Sequence, residues 1–111
     1  MEDKNLIIRE ATPADTFELA ELMNELGYDT TQKEMEARFS NIQRHTDYKT
    51  FVATIDTNVV GMIGLTKNLS YERNGIYVRV VALVTQSKFR FKIKLYISGI
   101  ILWNQNYKIY K

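Results

Sequence analysis

The chain has 111 residues, of which 45% are hydrophobic and 25% charged, so it can form one globular domain and is not a disordered chain, a collagen-like repeat or a coiled coil. It has no cysteine and one histidine, His45, which excludes disulfide bonds, thiolate catalysis and cysteine zinc sites, and we expect no metal site. The net charge is only +2, but the charges are unevenly distributed. Residues 1–60 carry six basic and twelve acidic side chains, whereas residues 61–111 carry nine basic and one acidic. The basic second half favours a polyanionic partner.

The beginning of the chain predicts a strand followed by a helix. Residues 6–8 form a short apolar run, which is typical of a strand. Thr12 and Asp15 have the spacing of a helix capping box, and Gly27 suits the left-handed position that ends a helix. The residues expected on the buried face of this helix are Leu19, Leu22, Met23 and Leu26.

A second helix and two strands are predicted next. Thr31 and Glu34 repeat the capping-box spacing at the start of the helix. Residues 51–55 and 59–66 then have the composition of strands, and residues 56–58 have that of a tight turn. The residues expected on the buried face of the second helix are Met35, Phe39 and Ile42.

A long strand is predicted over residues 76–85, after the hairpin signal Asn74-Gly75. Its nearly continuous apolarity indicates a central strand covered on both faces. The order strand, helix, helix and three strands predicts an α+β fold, with the helices packed on a mainly antiparallel sheet. Strict alternation would place Ile76, Val78, Val80, Ala82 and Val84 on one face and Tyr77, Arg79, Val81, Leu83 and Thr85 on the other.

This order of elements resembles the GNAT family of N-acetyltransferases. The resemblance rests on an ordered set of short segments, none of which is specific by itself. It covers residues 6–90, and we expect a single GNAT-like domain over residues 1–111 in which an atypical tail, residues 91–111, replaces the usual C-terminal half. The matching segments are Ile8-Arg9-Glu10-Ala11-Thr12-Pro13-Ala14-Asp15, Leu26-Gly27-Tyr28, Phe51-Val52-Ala53, Val60-Gly61-Met62-Ile63-Gly64, Ala82-Leu83-Val84 and Ser87-Lys88-Phe89-Arg90.

The resemblance implies acetyl-CoA as cofactor and transfer of its acetyl group to an amine. In the family, the pantetheine arm pairs with exposed backbone groups of the fourth strand, and an amide there can polarise the thioester carbonyl. The corresponding residues here are Leu83, Val84 and Thr85. The following loop holds the pyrophosphate, which implies cofactor contacts for Arg90 and Lys92.

The resemblance ends at Arg90, inside that loop. Ile93 and Leu95 stand where the family has glycines, and their β carbons would hinder the approach of backbone amides to phosphate, so the resemblance implies impaired activity. Alternating apolar residues over 91–98 predict a strand in place of the family's third helix. A truncated or altered C-terminus, such as a frameshifted gene end, would produce this break. Two further strands are predicted at residues 100–103 and 107–110.

Few residues are candidates for the rest of the chemistry. Glu72 is the single carboxylate after residue 60 and therefore a weak candidate base, although a solvated loop residue is the commoner role for such a position. Glu25, Tyr28 and Asp29 cluster at the link between the helices, which in the GNAT family borders the acceptor site. A polar helix end followed by loop residues is the commoner reason for such a cluster. The acceptor implied is an amine of a small molecule or a peptide.

Two other functions remain open from the sequence. A non-catalytic remnant of the fold could form a homodimer through its tail, because tail strands would have unpaired edges. A small nucleic-acid-binding domain ranks last, because the basic, aromatic second half lacks the glycines of an RNA-recognition strand. The chain starts without a basic segment and apolar run, and no apolar stretch is long enough to span a membrane, so we expect a cytoplasmic protein.

Overall fold

The computed structural model describes residues 5–86, Phe89 and residues 109–110 of the chain. The described strands form one sheet in the order β1-β2-β3-β4-β5, in which β1 to β4 are antiparallel neighbours and β5 is parallel to β4. The strands are β1 Leu6–Glu10, β2 Tyr48–Ile55, β3 Asn58–Leu69, β4 Ile76–Thr85 and β5 Ile109–Tyr110. Between β1 and β2 lie a 3-10 turn, Pro13–Asp15, and the helices α1, Thr16–Leu26, and α2, Gln32–Arg44. The predicted α+β fold is confirmed.

Local signals in the sequence place the helix ends. Gly27 ends α1 in the left-handed conformation, with a φ of 105°, which a residue with a β carbon adopts only with strain. At the start of α2, the N–H of Glu34 donates to Thr31 Oγ1 at 3.1 Å, and the N–H of Thr31 donates to Glu34 Oε1 at 2.9 Å. One prediction for α1 is wrong, because Leu26 is 46% exposed instead of buried.

The sheet has an apolar cluster on each face. On one face, α1 and α2 pack over the central strands and exclude water from the core. The residues buried there include Leu19, Leu22, Met35, Phe39, Val52, Met62 and Val84. The opposite face carries a second cluster, in which the buried residues are Ala53, Val60 and Ile63, and the partly buried ones are Leu6, Ile8, Phe51, Ile55, Leu65, Val80, Leu83 and Phe89.

A β-bulge interrupts the pairing of β4 with β3. Leu65 is opposite Val80 and Gly64 is opposite Ala82, so Val81 is an extra residue without a partner on β3. Such a bulge bends the strand and increases its local twist. The side chain of Val81 is 48% exposed.

The bulge overturns the predicted faces of β4. Val80 and Ala82 were expected on one face, but Val80 packs in the cluster opposite the helices, whereas Ala82 packs in the helix-side cluster. Leu83 lies with Val80, and Val84 lies with Ala82. The extra residue shifts the two-residue period by one position, which exchanges the faces on either side of it.

The two helices run out and back along the sheet. β1 ends, and β2 begins, at the same end of the sheet, because the two strands are antiparallel neighbours. The two helices that connect them therefore leave that end and return to it. α1 lies against β3 and β4, and α2 lies against β2.

The parallel strand β5 falls within the strand predicted at residues 107–110. It is opposite Val78 and Arg79 of β4. Parallel neighbours require a connection of about a dozen residues or more, and residues 86–108 separate β4 from β5 in the sequence. The predicted strands at 91–98 and 100–103 lie outside the described residues.

A bidentate ion pair joins β1 to the start of the helical layer. Both guanidinium nitrogens of Arg9 donate to Asp15, each at 2.8 Å, and the N–H of Thr12 donates to Asp15 Oδ2 at 2.8 Å. The carboxylate is only 6% exposed. The Arg9 guanidinium, together with the Thr12 amide, holds the pKa of Asp15 below its usual value.

We expect Asp15→Asn to lower the free energy of unfolding at pH 7 by about 2 kcal/mol, because it removes charge-assisted hydrogen bonds from a buried group. A carboxylate with a depressed pKa stabilises the fold above its unfolded pKa, and this contribution is lost as the pH falls through the folded pKa. The difference between wild type and variant should therefore shrink below about pH 4. Urea unfolding at a series of pH values measures this difference in the free energy of unfolding. A difference that is constant down to pH 2 would contradict the stabilising role of the ionised Asp15.

Candidate cofactor site

The pairing pattern at the end of β4 determines where its backbone groups point. The N–H of Gln86 donates to the C=O of Val60 at 2.8 Å, immediately beyond the pair formed by Thr85 and Gly61. In an antiparallel ladder, hydrogen-bonded and non-hydrogen-bonded pairs alternate. The pair Thr85–Gly61 is therefore a non-hydrogen-bonded one, and Thr85 directs its own N–H and C=O away from β3.

The same alternation separates the three residues that the sequence assigns to the cofactor. Val84 is opposite Met62 in a hydrogen-bonded pair, so its N–H and C=O are used by the ladder with β3. Leu83 and Thr85 flank it, and their N–H and C=O groups point to the other edge of β4. The register therefore offers the backbone of Leu83 and Thr85 to a ligand, whereas Val84 contributes a buried side chain to the helix-side core.

This edge of β4 is open beyond the bulge. β5 lies next to β4 only at Val78 and Arg79, and within the described part of the chain no strand lies beside residues 80–85 on that side. Unpaired backbone groups on a strand edge can bind an extended chain that has amide groups of its own. The bulge at Val81 bends β4 just where the open edge begins.

The side chain of Thr85 is unusual for a buried residue. Thr85 is 4% exposed, and its Oγ1 atom has no hydrogen-bond partner among the described atoms. Burial of a hydroxyl without a partner costs about 1–3 kcal/mol. The end of β4 therefore carries a destabilising group next to the open edge.

We expect Thr85→Val to raise the free energy of unfolding by about 1 kcal/mol, because valine has nearly the same shape and no hydroxyl to desolvate. Thr30→Val is the matched control, since the buried Thr30 hydroxyl donates to the C=O of Tyr28 at 2.9 Å and its loss should destabilise the fold. Thermal unfolding of both variants measures the two effects. A lower melting temperature for Thr85→Val would show that its hydroxyl has a stabilising partner.

A network of hydrogen bonds holds the α1–α2 link, where the sequence places an acceptor site. The side chain of Asn24 accepts from the N–H of Thr30 at 2.7 Å and donates to its C=O at 3.2 Å. Tyr28 is 66% exposed, and Glu25 and Asp29 are exposed as well. The link therefore presents these three side chains to solvent. Asn24 was missed from the sequence, because its partner is six residues away in an irregular segment.

The predicted base candidate, Glu72, is not brought to the open edge. Glu72 is exposed in the β3–β4 hairpin loop, where its N–H donates to Ser70 Oγ at 3.2 Å. It therefore lies at the opposite end of β4 from Leu83, roughly 20 Å away along the strand. Arg90 and Lys92 lie outside the described residues.

The part of the chain that the structure describes has neither a cluster of metal-ligating side chains nor a membrane-spanning helix. Its histidine, aspartate and glutamate side chains form no group of three or more that could hold a metal ion. Among the same residues, no helix is both long and apolar enough to cross a membrane.

Comparison with solved structures identifies the fold. A GNAT family acetyltransferase from Staphylococcus aureus is 28% identical, with a TM-score of 0.81 over 95% of this chain and 83% of that one. A glucosamine-6-phosphate N-acetyltransferase from Arabidopsis thaliana is 19% identical, with a TM-score of 0.69 over 94% of this chain and 78% of that one. An aminoglycoside 6'-N-acetyltransferase from Acinetobacter baumannii is 10% identical, with a TM-score of 0.70 over 88% of this chain and 70% of that one.

The chain thus has the GNAT acetyltransferase fold, and the resemblance predicted from its sequence is confirmed. Comparison of the sequence alone does not identify a family, since neither a family model nor a curated protein matches the chain. At the level of the family, the fold supports acetyl transfer.

Proposed function

We propose that the chain binds acetyl-CoA along the open edge of β4 and transfers the acetyl group to a primary amine. The observation that carries the proposal is the register of β4, which directs the N–H groups of Leu83 and Thr85 to an edge beside which the described residues place no other strand. The pantetheine arm has two amides and can pair with these groups as an added strand would. The solved acetyltransferases with this fold support the choice of cofactor.

The chemistry of the step follows from these backbone groups. The N–H of Leu83 donates to the thioester carbonyl oxygen, on which negative charge develops when the amine attacks. The amine forms a bond to the acetyl carbon, the carbon–sulfur bond breaks, and CoA leaves as the thiol. A proton must leave the amine nitrogen, and since Glu72 lies at the far end of β4, we assign its removal to water.

Small-molecule amines are the acceptors we propose first. Two of the solved structures with this fold are acetyltransferases of aminoglycosides and of glucosamine 6-phosphate. Glu25, Tyr28 and Asp29 would face such an acceptor, since they are exposed where α1, the helix that lies against β3 and β4, passes into the link. The carboxylates of Glu25 and Asp29 would attract a cationic amine.

The cofactor contacts after β4 remain part of the proposal. Arg90 and Lys92 would contact the pyrophosphate, whereas Ile93 and Leu95 replace the glycines of the family's loop. We therefore expect weak binding and slow turnover. Homodimerisation through residues 91–111 and a cytoplasmic location stay predictions, and light scattering after size exclusion tests the first of them.

Acetyl-CoA titration tests the proposal. Binding to the native state should raise the melting temperature in proportion to the logarithm of the acetyl-CoA concentration above the dissociation constant. Transfer is then measured by a thiol reagent that detects released CoA, and the absence of cysteine from the chain leaves no background signal. The acceptors to compare are an aminoglycoside, an amino sugar phosphate and a peptide N-terminus.

The outcomes separate an enzyme from a non-catalytic remnant. Stabilisation by acetyl-CoA together with amine-dependent release of CoA supports the proposal. Stabilisation without release with any acceptor would leave a cofactor-binding protein that does not catalyse transfer. No stabilisation at millimolar acetyl-CoA would overturn cofactor binding altogether.

A further inference from the structure

A cavity of about 280 Å³ lies on the face of the sheet opposite the helices, and we call it the β2–β4 cavity. Phe51, Leu65 and Val78 give it an apolar floor, to which β2, β3 and β4 contribute one residue each. Phe51 and Leu65 belong to the apolar cluster of that face, and Val78 shares the face of Val80, two residues further along β4. The volume is just below the range of about 300–1,000 Å³ that is usual for ligand sites, which suits a small ligand.

Two lysines line the same cavity from neighbouring strands. Lys49 is opposite Leu65, and Lys67 follows Leu65 by two residues on β3, so both side chains lie on the face that carries Leu65. Such diagonal neighbours in an antiparallel pair are only about 7–8 Å apart. Two side chains as long as those of lysine can therefore reach one anion between them.

The charges around the cavity favour a ligand with a single negative charge. Lys49 Nζ pairs with Glu10 Oε2 at 3.1 Å, whereas no described residue forms an ion pair with Lys67. Asp47 also lines the cavity, so its charged lining residues, two lysines and one aspartate, have a net charge of +1. A monoanion would balance this charge and give Lys67 a partner.

We propose that the β2–β4 cavity binds a small monocarboxylate with an apolar body, of the chemical class of the aryl- and alkyl-carboxylic acids. The carboxylate of the ligand pairs with Lys67, and Lys49 adds a second ammonium group on the same side. The apolar body packs on Phe51, Leu65 and Val78, which removes apolar surface from water.

The β2–β4 cavity is separate from the open edge of β4. Val78 lies five residues before Leu83, roughly 15 Å away along the strand, and Leu83 does not line the cavity. A ligand in the cavity therefore leaves the backbone groups of Leu83 and Thr85 free. Binding of a carboxylate does not depend on the proposed acetyl transfer.

Calorimetric titration of the full chain with 3-phenylpropanoate tests the inference. The comparison ligands are 3-phenylpropan-1-ol, which lacks the charge, acetate, which lacks the apolar body, and phenethylamine, which has the opposite charge. Each should bind about tenfold more weakly than 3-phenylpropanoate or worse, because one of the two contacts is missing or is replaced by repulsion. Equal affinity for phenethylamine, or no saturable binding at millimolar 3-phenylpropanoate, would overturn the proposal.

One pair of matched variants and one spectroscopic measurement locate the site. Lys67→Gln should weaken the binding of 3-phenylpropanoate about tenfold, whereas Lys33→Gln, at an exposed position in the first turn of α2, should not change it. In methyl NMR spectra, the ligand should shift the signals of Leu65 and Val78 and not those of Val52, which is buried on the helix side. Equal affinity in both variants, or shifts confined to helix-side methyl groups, would also overturn the proposal.

Discussion

Leu83→Pro is expected to lower the rate of acetyl transfer by about 10²–10³-fold while the protein remains folded. Proline at this position removes one backbone N–H, and the register of β4 directs that N–H to the open edge and not to β3. Loss of one donor to a developing oxyanion costs about this factor in enzymes that transfer acyl groups. Release of CoA at saturating acceptor measures the rate, and the rise in melting temperature with acetyl-CoA measures binding.

Two matched variants show whether the missing N–H is responsible. Leu83→Ala loses the same packing on the face opposite the helices but keeps the N–H, so it should retain most of the transfer rate. Val84→Pro removes an N–H that belongs to the ladder with Met62, so it should destabilise the fold instead. If Leu83→Ala is as inactive as Leu83→Pro, the loss comes from packing, and the oxyanion role of the Leu83 amide is wrong.

Elements with local signals could be predicted from the sequence, because their causes lie within a few residues. The capping box of Thr31 and Glu34 and the left-handed Gly27 are examples, since each depends on neighbours within one helical turn. The exposure of Leu26 could not be predicted in the same way. Leu26 lies in the last turn of α1, and its exposure depends on what the rest of the fold packs against that turn, which the helical period does not encode.

The bulge in β4 left no recognisable pattern in the sequence. Val80 and Val81 are both valines within an almost continuous apolar run, so a one-residue shift of the two-residue period leaves the hydrophobic pattern unchanged. The one hint is Gly64 on the neighbouring strand. A β carbon added to Gly64 would lie 3.5 Å from the β carbon of Ala82, which is ordinary van der Waals contact, so no close approach of the strands requires this glycine. Glycine within a strand can mark a bulge without showing which strand is bulged.

The open edge could be predicted only in part. The sequence resemblance assigns Leu83, Val84 and Thr85 together, because a resemblance aligns residues and not hydrogen bonds. The direction of each N–H depends on whether its pair in the ladder is hydrogen-bonded, and this is set by the register with Gly61 and Met62. Register depends on long-range pairing, which no single segment of the chain encodes.

Deletion of Val81 is expected to weaken acetyl-CoA binding at least about tenfold without unfolding the protein. The deletion leaves Val80 opposite Leu65 and Ala82 opposite Gly64, so both residues keep their present partners and faces. It removes the extra residue that bends β4, so the backbone groups of Leu83 and Thr85 would change direction relative to the rest of the sheet. An extended ligand would then no longer align with these groups, and calorimetric titration with acetyl-CoA measures the loss of affinity.

Val81→Ala is the control for the deletion, because it keeps the number of residues in β4 and trims a side chain that is already 48% exposed. We expect it to bind acetyl-CoA like the wild type, and we expect both variants to have circular dichroism spectra close to that of the wild type. Equal affinity in the wild type and the deletion variant would mean that the bulge does not create the site. In that case the open edge of β4 would have to arise from the position of β5 alone.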